Sequence, residues 1–340
     1  GPGLLARVAV SKYLDHLPLY RQSEIYARQG VDLERSTMAG WIGALSELVR
    51  PLVDEIGRYV VAGEKVHADD TPVPVLDPGR GTTKTARLWA YVRDDRPAGS
   101  TDPPAAWYRY TASREGAHPR EHLAKFEGIL QADGFSGVHA LDESRRILEA
   151  GCWAHARRKY YDYFEAKQSP IAKEALDRIQ ALYAIEEPIR GKPAAERTAT
   201  RQRFAAPLLA DLEGWLRATL GTISAKSELA AAINYSLKRW EALTRYAQDG
   251  RIEIDNNAAE RAMKGPVLGR KNWLFAGSHQ GGERAAAMYT LLETAKLNGI
   301  DPEAYLRDVL RRIAEHPISR ISELLPWNFV RDQAEDPPLA

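Results

Sequence analysis

Cysteine is almost absent from this sequence: Cys152 is the only one among 340 residues. No disulfide can therefore form within the chain, and such low cysteine use is typical of a reducing compartment. The sequence shows no signal-peptide pattern and no apolar run long enough to cross a membrane. An excess of either charge is also lacking, because 47 Lys and Arg residues face 46 Asp and Glu residues and leave a net charge of +1. Net charge thus gives no argument for a nucleic-acid partner, which only local patches could provide.

Several catalytic signatures are missing as well. The sequence contains no G-x-S-x-G motif, no P-loop and no dinucleotide-binding fingerprint. Cys152 and His155 form a lone C-x-x-H pair without convincing zinc spacing, and we interpret them as a core and a surface residue. Hydrophobic residues make up 44% and charged residues 27% of the chain, a globular balance that argues against wholesale disorder.

Residues 1–60 have a helical pattern. Gly30 ends a helix that holds Ile25 and Tyr26, and Ser36-Thr37 is expected to cap the next helix. This outline is typical of a helix-turn-helix that binds DNA. It is also typical of a plain helical lead-in that packs on the next domain, so both interpretations stay open. Because the sequence starts at Gly1 and not at methionine, we expect a further domain upstream.

Period-two patterning begins at Glu64 and predicts a β meander followed by two more strands. Pro72 and Pro74 indicate that the first strand ends or lies at a sheet edge. The predicted order is strands over 65–76, 87–93 and 106–111, a helix over 119–126, a strand over 128–134, a brief helix around 142–146 and a strand over 147–153. This order suits a mixed sheet with helices on its faces, so the predicted fold class is α/β in the mixed, α+β sense.

Most of the remaining chain is predicted to be helical. A short helix that contains Glu260 is expected to end at Gly265-Pro266, before a basic loop over 269–273 and a turn-rich stretch over 277–282. Another helix should begin at Glu283, and Asp301-Pro302 should cap the last one. The predicted units are a helical segment (1–60), the first part of a core (61–160), a helical insertion (161–245), the second part of the core with a third acid (246–298), C-terminal helices (299–330) and a tail (331–340).

Three acids are the candidates for catalysis. One lies in mid-strand at Asp69 or Asp70, Asp133 ends a strand, and Glu260 is in the first turn of a helix. Carboxylates that converge at a sheet edge suit Mg²⁺ or Mn²⁺. Two such ions can activate water or a 3′-hydroxyl and stabilise the leaving oxygen of a phosphodiester. The alternative for Glu260 is a plain partner of the helix dipole.

The first pair requires a choice, because successive strand residues point to opposite faces. Asp69 shares its face with His67 and Thr71, whereas Asp70 shares one with apolar neighbours. The polar company favours Asp69 as the metal ligand.

Four long stretches carry a family resemblance, supported by the similar stretches 11–13 and 17–22. They are residues 67–73, 132–135, 151–159, and 255–261 together with 269–278 and 282–284. In this order they resemble the motifs of the DDE transposases in the IS66 group of bacterial insertion sequences. The resemblance runs from about residue 4 to Phe329.

This resemblance implies an RNase H-like core with a helical insertion before the third acid. It places Asp69, Asp133 and Glu260 on the catalytic, metal-binding positions, and Asp70 in a supporting role where many relatives carry Glu. It implies two Mg²⁺ or Mn²⁺ ions, nicking at transposon ends, and 3′-hydroxyl strand transfer into target DNA. Expected partners are double-stranded DNA, a second copy or more on that DNA, and accessory proteins of the same element. The resemblance also implies that the protein is located in the cytoplasm, associated with the nucleoid and not with a membrane.

Two other functions stay open from the sequence. One is a DNA-binding or assembly protein whose RNase H-like site is inactive, and the other is a general nuclease of that fold. The resemblance also implies that longer relatives carry an N-terminal DNA-binding and coiled region.

Other residues near the acids have candidate roles. Asn256, Asn257 and Lys264 share the predicted helix face of Glu260, and His155 is a candidate for orienting a phosphate or bridging an acid. The candidates for DNA contact are Arg157, Arg158, Lys159, Arg261, Arg270, Lys271, Trp273 and Arg284, with Phe275 beside them. The alternatives are a solvated face for the cations, core packing for the aromatic residues and a structural role for His155. Turn formation is the favoured interpretation of Gly281-Gly282, ahead of close backbone approach.

Overall fold

The computed structural model describes residues 1–133 and 146–329. The helix expected around 142–146 lies almost wholly outside these residues, as does the tail. The described part contains fourteen α-helices and one five-stranded mixed sheet. The mixed α/β class expected from the sequence is therefore confirmed.

Four helices precede the sheet: α1 (Pro2–Tyr13), α2 (Leu19–Arg28), α3 (Arg35–Leu48) and α4 (Arg50–Val61). The sheet contains β1 (Lys65–Asp77), β2 (Thr82–Arg93), β3 (Ala105–Thr111), β4 (Gly128–Gln131) and β5 (Ile147–Ala150), with α5 (Ala117–His122) between β3 and β4. A helical unit follows, with α6 (Trp153–Lys167), α7 (Pro170–Glu186), α8 (Ala194–Thr200), α9 (Ala206–Leu220), α10 (Glu228–Lys238) and α11 (Trp240–Thr244). The chain continues with α12 (Asn257–Trp273), α13 (His279–Leu297) and α14 (Pro302–Arg312).

The strand order across the sheet is β3-β2-β1-β4-β5. β1, β2 and β3 form the expected antiparallel meander, and β4 and β5 join it as parallel strands. β1 is thus an inner strand at its start. It does not end at Pro72 or Pro74, and the other alternative, that the prolines mark a sheet edge, agrees with the absence of β4 beside them. β4 pairs only with residues 65–67 of β1. Both prolines lie beyond that pairing, so no ladder bond to β4 is lost at their missing N–H groups.

Several helix and strand boundaries differ from those predicted from the sequence. Ser36-Thr37 does not cap α3: the helix begins at Arg35, and the Ser36 hydroxyl donates to the Glu34 carboxylate at 3.0 Å. The strands expected over 128–134 and 147–153 and the helix over 119–126 are shorter than predicted. The cap at Asp301 is confirmed, since its carboxylate accepts the Ala304 N–H at 2.7 Å.

The helix that carries Glu260 does not stop at Gly265-Pro266. α12 has 17 residues and runs through Pro266, so the expected basic loop over 269–273 forms its last turn. Pro266 has no N–H to offer the carbonyl of Ala262. The buried Tyr108 hydroxyl donates to that carbonyl at 2.7 Å instead, which removes the main cost of a proline inside the helix.

α13 also begins earlier than expected, at His279 instead of Glu283. The hydroxyl of Ser278 accepts the Gly281 N–H at 3.1 Å and caps it. Gly281 and Gly282 therefore lie in a helix, and the turn interpretation is wrong. A side chain at Gly282 would overlap the ring of Tyr110, so close approach explains this glycine.

Two hydrophobic cores organise the chain. The main core joins the sheet to α1–α4, α12, α13 and α14. The second core lies within the helical unit and includes Trp153, Ile252 and Ile254. Because it also takes in Ile129 of β4 and Ala150 of β5, the helical unit packs directly on the parallel edge of the sheet.

A buried ionic network supports the segment that leads to α12. Arg201 lies in a five-residue π-helical stretch between α8 and α9 and is fully buried. Its guanidinium binds both carboxylate oxygens of Glu186 at 2.8 and 2.6 Å, and donates to the carbonyls of Tyr246 and Ile252. Arg197 binds Glu253 at 2.8 Å. These bonds fix residues 246–253 against the helical unit.

Arg201→Met should therefore destabilise the protein strongly. The substitution keeps an apolar stem but leaves Glu186 and the carbonyls without their main donor, which costs about 3 kcal/mol or more. Urea unfolding monitored by circular dichroism measures the change. Arg203→Met, at an exposed position two residues away, should stay within about 0.5 kcal/mol of wild type. Equal midpoints for the two variants would contradict this role of Arg201.

Candidate active site

The pairing of β1 with β4 brings the two aspartates together. These strands are parallel, and His67 lies opposite Gln131. Asp69 follows His67 by two residues on β1, and Asp133 follows Gln131 by two residues, just beyond β4. Because parallel strands advance in step, both carboxylates lie at the same level of the sheet.

α12 adds the glutamate. Glu260 lies in its first turn, and α12 packs on β1. His155 of α6 lies between two of the acids: its Nε2 is 3.1 Å from Oδ2 of Asp133, and its Nδ1 is 3.5 Å from Oε1 of Glu260. The structure thus brings Asp133, Glu260 and His155 into one cluster beside Asp69.

The neighbouring acids change the pKa of Asp69. Burial raises the pKa of its carboxyl to about 6, and the negative charges of Asp70, Asp133 and Glu260 act in the same direction. The backbone N–H of Asp70 donates to its Oδ1 at 2.8 Å and partly offsets these effects. A crowded group of carboxylates with this property attracts a cation.

Asn256 anchors the start of α12 to β1. Its side chain does not flank Glu260 as the helical spacing suggested. It is fully buried: its Nδ2 donates to the carbonyl of Ala68 at 2.8 Å, and its Oδ1 is 3.0 Å from Nδ1 of His67. Burial lowers the pKa of His67 to about 3, so the ring is neutral. Because Oδ1 can only accept, His67 carries its proton on Nδ1 and donates it.

The remaining supporting candidates differ in position. Asn257 donates its N–H and side-chain amide to the Asp255 carboxylate at 3.1 and 2.8 Å, and Lys264 is exposed. Asp70 points to the opposite sheet face from Asp69. Its carboxylate binds Arg87 at 3.0 Å and Arg114 at 2.9 Å. It acts on the site through its backbone N–H, which donates to Asp69, and through its charge, which raises the pKa of Asp69.

Cys152 comes closer to the acids than expected. Ligand atoms of Cys152, His155 and Glu260 lie within 4.8 Å of one another, a possible metal group. However, burial raises the pKa of the thiol to about 12, and the sulfur accepts the Asn256 N–H at 3.2 Å. A neutral thiol engaged in this way is a poor metal ligand. The sulfur instead helps to anchor α12.

The oxygen ligands fit a hard divalent cation. Oε1 of Glu260 is buried and accepts no hydrogen bond from any described residue. Asp69 and Asp133 supply further carboxylate oxygens, the donors that Mg²⁺ and Mn²⁺ prefer. By donor chemistry these oxygens suit the expected ions better than zinc, although among the described residues the ligand atoms of only one group of three, Cys152, His155 and Glu260, lie within 4.8 Å of one another.

The first group of DNA-contact candidates lies on α6. Arg158 and Lys159 are exposed, and Arg157 is half-buried near the ring of Tyr161. An open cleft of about 380 Å³ joins Arg157 and Arg158 to His155 and Glu260. These two arginines therefore border the cluster itself.

The second group lies on α12 and α13. Arg261 and Lys271 are exposed, whereas Arg270 donates to the Thr71 hydroxyl at 3.2 Å and to the carbonyl of Pro72. Trp273 is half-buried and packs against the main core. Arg284 lies against Gly43 of α3. Arg270 and Arg284 therefore have structural neighbours as well as access to solvent.

Sequence reasoning missed the residues that hold the acids in place. These are Tyr108 under α12, His67, and Gln131, whose amide exchanges bonds with the backbone of Glu253. Asn256 was predicted as a supporting residue, but its bonds to Ala68 and His67 were not. The only available signal was a polar residue inside an apolar pattern, as at Gln131 in β4.

Asp69→Asn should stabilise the metal-free protein at pH 7.5. The folded-state pKa of about 6 lies above the usual Asp value, so ionisation favours the unfolded state as pH rises from about 4 to 6. Asparagine avoids this cost and keeps the acceptor for the Asp70 N–H, which predicts a gain on the order of 1–3 kcal/mol. Urea unfolding in EDTA at pH 7.5 and pH 4 measures it.

The gain should fall to roughly 0.5 kcal/mol at pH 4, where Asp69 is protonated in the folded state and only about half-ionised in the unfolded state. Asp162→Asn, an exposed site on α6, should change the free energy of unfolding little at either pH. A gain that is independent of pH would refute the electrostatic cause.

Comparisons with known proteins show the family of the chain. The family described as "Transposase IS66 family" matches residues 1–284, and "IS66 C-terminal element" matches residues 290–327. Among curated proteins of Sinorhizobium fredii (strain NBRC 101917 / NGR234), the chain is 43% identical to Uncharacterized protein y4hP over 356 residues and 47% identical to Uncharacterized protein y4qI over 337 residues. These matches cover 100% and 97% of the chain.

The chain spans less than two thirds of those relatives, 64% and 62% of their lengths. Among the described residues, no helix is both long and apolar enough to cross a bilayer. Because one family match covers most of the sequence and the second covers its C-terminal helices, the chain belongs to the IS66 family of transposases.

Proposed function

We propose that this chain carries the catalytic core of a DDE transposase, which nicks DNA at transposon ends and joins the freed 3′-hydroxyl to target DNA. The convergence of Asp69, Asp133 and Glu260, with His155 between two of them, is the observation that carries the proposal. Family membership supports it.

The sheet supports an RNase H-like core as the scaffold. Three antiparallel strands followed by two parallel ones carry the first acid in mid-sheet and the second just beyond β4. We propose the unit boundaries of the sequence analysis for this core, with the helical unit inserted between β5 and α12. After the insertion the chain enters α12, which packs on β1 and carries Glu260 in its first turn.

Asp69, Asp133 and Glu260 would hold two Mg²⁺ or Mn²⁺ ions in this proposal. When bound, the ions supply an activated water or 3′-hydroxyl and stabilise the leaving oxygen. The protein's part is orientation: Asn256 and His67 fix α12 on β1, and His155 lies beside Asp133, with its Nε2 3.1 Å from Oδ2, and faces Glu260.

Double-stranded DNA is the proposed substrate. Arg157, Arg158 and Lys159 on α6 and Arg261 and Lys271 on α12 offer cations for the phosphates on either side of the acids. We further propose assembly of at least two copies on the DNA, assisted by accessory proteins of the same element. The protein would act at the nucleoid.

The second candidate is a DNA-binding or assembly protein with an inactive site. The contact between α2 and α3, with Gly30 at φ 80° after α2, keeps a helix-turn-helix possible there. It predicts DNA binding without cleavage in any metal. A general nuclease predicts cleavage that does not depend on the transposon ends and no strand joining.

Asp69→Asn, Asp133→Asn and Glu260→Gln should each lower DNA cleavage at least about 100-fold, because each removes a charge from the metal site. The assay follows nicking and joining of a supercoiled plasmid that carries the element's ends, using the full-length protein with Mg²⁺ or Mn²⁺. EDTA should abolish both reactions.

Glu241→Gln, at an exposed position on α11, is the matched control and should keep full activity. Circular dichroism should show that all variants fold. Full cleavage by any of the three acid variants would remove that residue from the site.

A further inference from the structure

A second cavity lies between the N-terminal helices and α12. It has a volume of about 200 Å³, far more than a single water needs. Its aromatic walls are Tyr110, Trp273 and Phe275, and three cations, Lys12, Arg270 and Arg284, surround it. Nothing in the proposed chemistry at the carboxylates uses this cavity.

We propose that this cavity binds one unstacked nucleotide of the DNA, with its base between the aromatic walls and its phosphate against the cations. The proposal rests on the proposed function, because it places the nucleotide on the strand that the acids cut. The chemical class of the ligand follows from three features of the cavity.

The first feature is a set of three cations without a direct ion pair to a described carboxylate, although the charge of Arg284 also acts on Glu47. Lys12 is largely desolvated, with its Nζ 5.2 Å from the centre of the Tyr13 ring. Neither Lys12 nor Arg284 forms an ion pair with a described residue, and Arg270 donates only to a hydroxyl and a carbonyl. Cations withdrawn from water in this way favour an anionic ligand. A purely apolar peptide would leave all three without an anionic partner.

The second feature is a rigid aromatic frame. The Tyr110 hydroxyl is 2.9 Å from Nδ1 of His279, and its ring packs on Gly282, where a side chain would clash. Phe275 is 41% exposed and precedes Ala276, which bridges to β1 through bonds to Pro74 and Leu76. Aromatic rings fixed at an open cavity are typical stacking platforms for bases.

The third feature is an exposed apolar residue between Trp273 and Phe275, both of which line the cavity. Leu274 is 63% exposed and has a φ of 63°, which is rare for a residue other than glycine. Strained backbone of this kind persists when its position has a use. Exposed Leu and Phe side chains can enter the space that an unstacked base leaves in a duplex.

Distance along the chain connects the cavity to the acids. Thr71 lines the cavity and lies two residues beyond Asp69 on the same strand face, roughly 7 Å away. Pro266 also lines it and lies six residues beyond Glu260 on α12, roughly 9 Å away. Base steps are roughly 3.4 Å apart along a duplex, so the bound nucleotide would lie two or three positions from the cut.

Binding to DNA with and without bases tests the proposal. The probe is a fluorescein-labelled duplex with a four-thymidine 3′ overhang, compared with the same duplex carrying four abasic residues. Anisotropy is measured in EDTA, so that no cleavage occurs. The wild-type protein should bind the thymidine probe at least about 5-fold more tightly, the lower limit for stacking one base on an aromatic residue.

Two variants test whether the preference for the thymidine probe arises in the cavity. Phe275→Ala removes one wall, and Ala285→Phe fills the cavity from α13; both should reduce the preference to less than about 2-fold. Phe204→Ala is the matched control, since Phe204 is 49% exposed in the helical unit, and it should keep the full preference. Because Phe275 is at the surface, its variant tests the idea even if Ala285→Phe fails to fold.

Equal binding of the two probes by wild type would overturn the proposal and leave the cavity to a peptide segment. A preference that survives in a folded Phe275→Ala protein and in a folded Ala285→Phe protein would also overturn it. Cleavage with no base preference would refute only this inference. Base preference with no metal-dependent cleavage would refute the proposed catalysis and leave the nucleotide site standing.

Discussion

The contact between Asn256 and β1 is the interaction on which the candidate site depends. Glu260 is four residues further along and contributes only if α12 begins at the right place over the sheet. The Asn256 amide reaches Ala68 and His67, the two residues that precede Asp69. One buried side chain therefore sets the position of the third acid relative to the first. An unpaired buried amide would be costly, so alternative placements of α12 are disfavoured.

The helical unit provides the second constraint. It leaves the sheet after β5 and returns just before Asn256, so its internal packing decides where the chain comes back. Arg201 and Glu186 hold residues 246–252, and Gln131 of β4 binds the backbone of Glu253. Trp153 donates its backbone N–H to Ile254 at 3.0 Å. The helical unit thus fixes residues 246–254, which lead to α12. β4 contributes to this through Gln131, and it is also the strand that leads to Asp133.

Stability and function oppose each other at the acids. Carboxylates placed together repel, and the raised pKa of Asp69 reflects both its burial and that repulsion. The surrounding structure tolerates this because the neighbouring groups are paired: Asp70 with Arg87 and Arg114, and Asn256 with His67. The cavity between the N-terminal helices and α12 has the opposite imbalance, with cations that lack a direct ion pair to a described carboxylate. A polyanion that spans both places, held at the acids through bound cations, would relieve both.

Much of this site was predictable from residue patterns. Strand alternation separates Asp69 from Asp70, and the order of strands places Asp133 after a short parallel strand. Helix boundaries were less predictable. The sequence signals at Pro266 and Gly281-Gly282 indicate a stop and a turn, because a missing N–H and a flexible backbone normally have those effects. The Tyr108 hydroxyl and the Tyr110 ring reverse both outcomes from distant parts of the chain.

The sequence by itself determined which acids are present, their order, and the elements that carry them, since these depend on local periodicity. Only the tertiary structure decided that His155 lies between Asp133 and Glu260, that Asn256 faces β1 and not Glu260, and that aromatic and cationic side chains line one cavity between the N-terminal helices and α12. The reason is that each of these contacts joins residues far apart in the chain. Short-range patterns carry no information about which distant partner will satisfy a buried polar group.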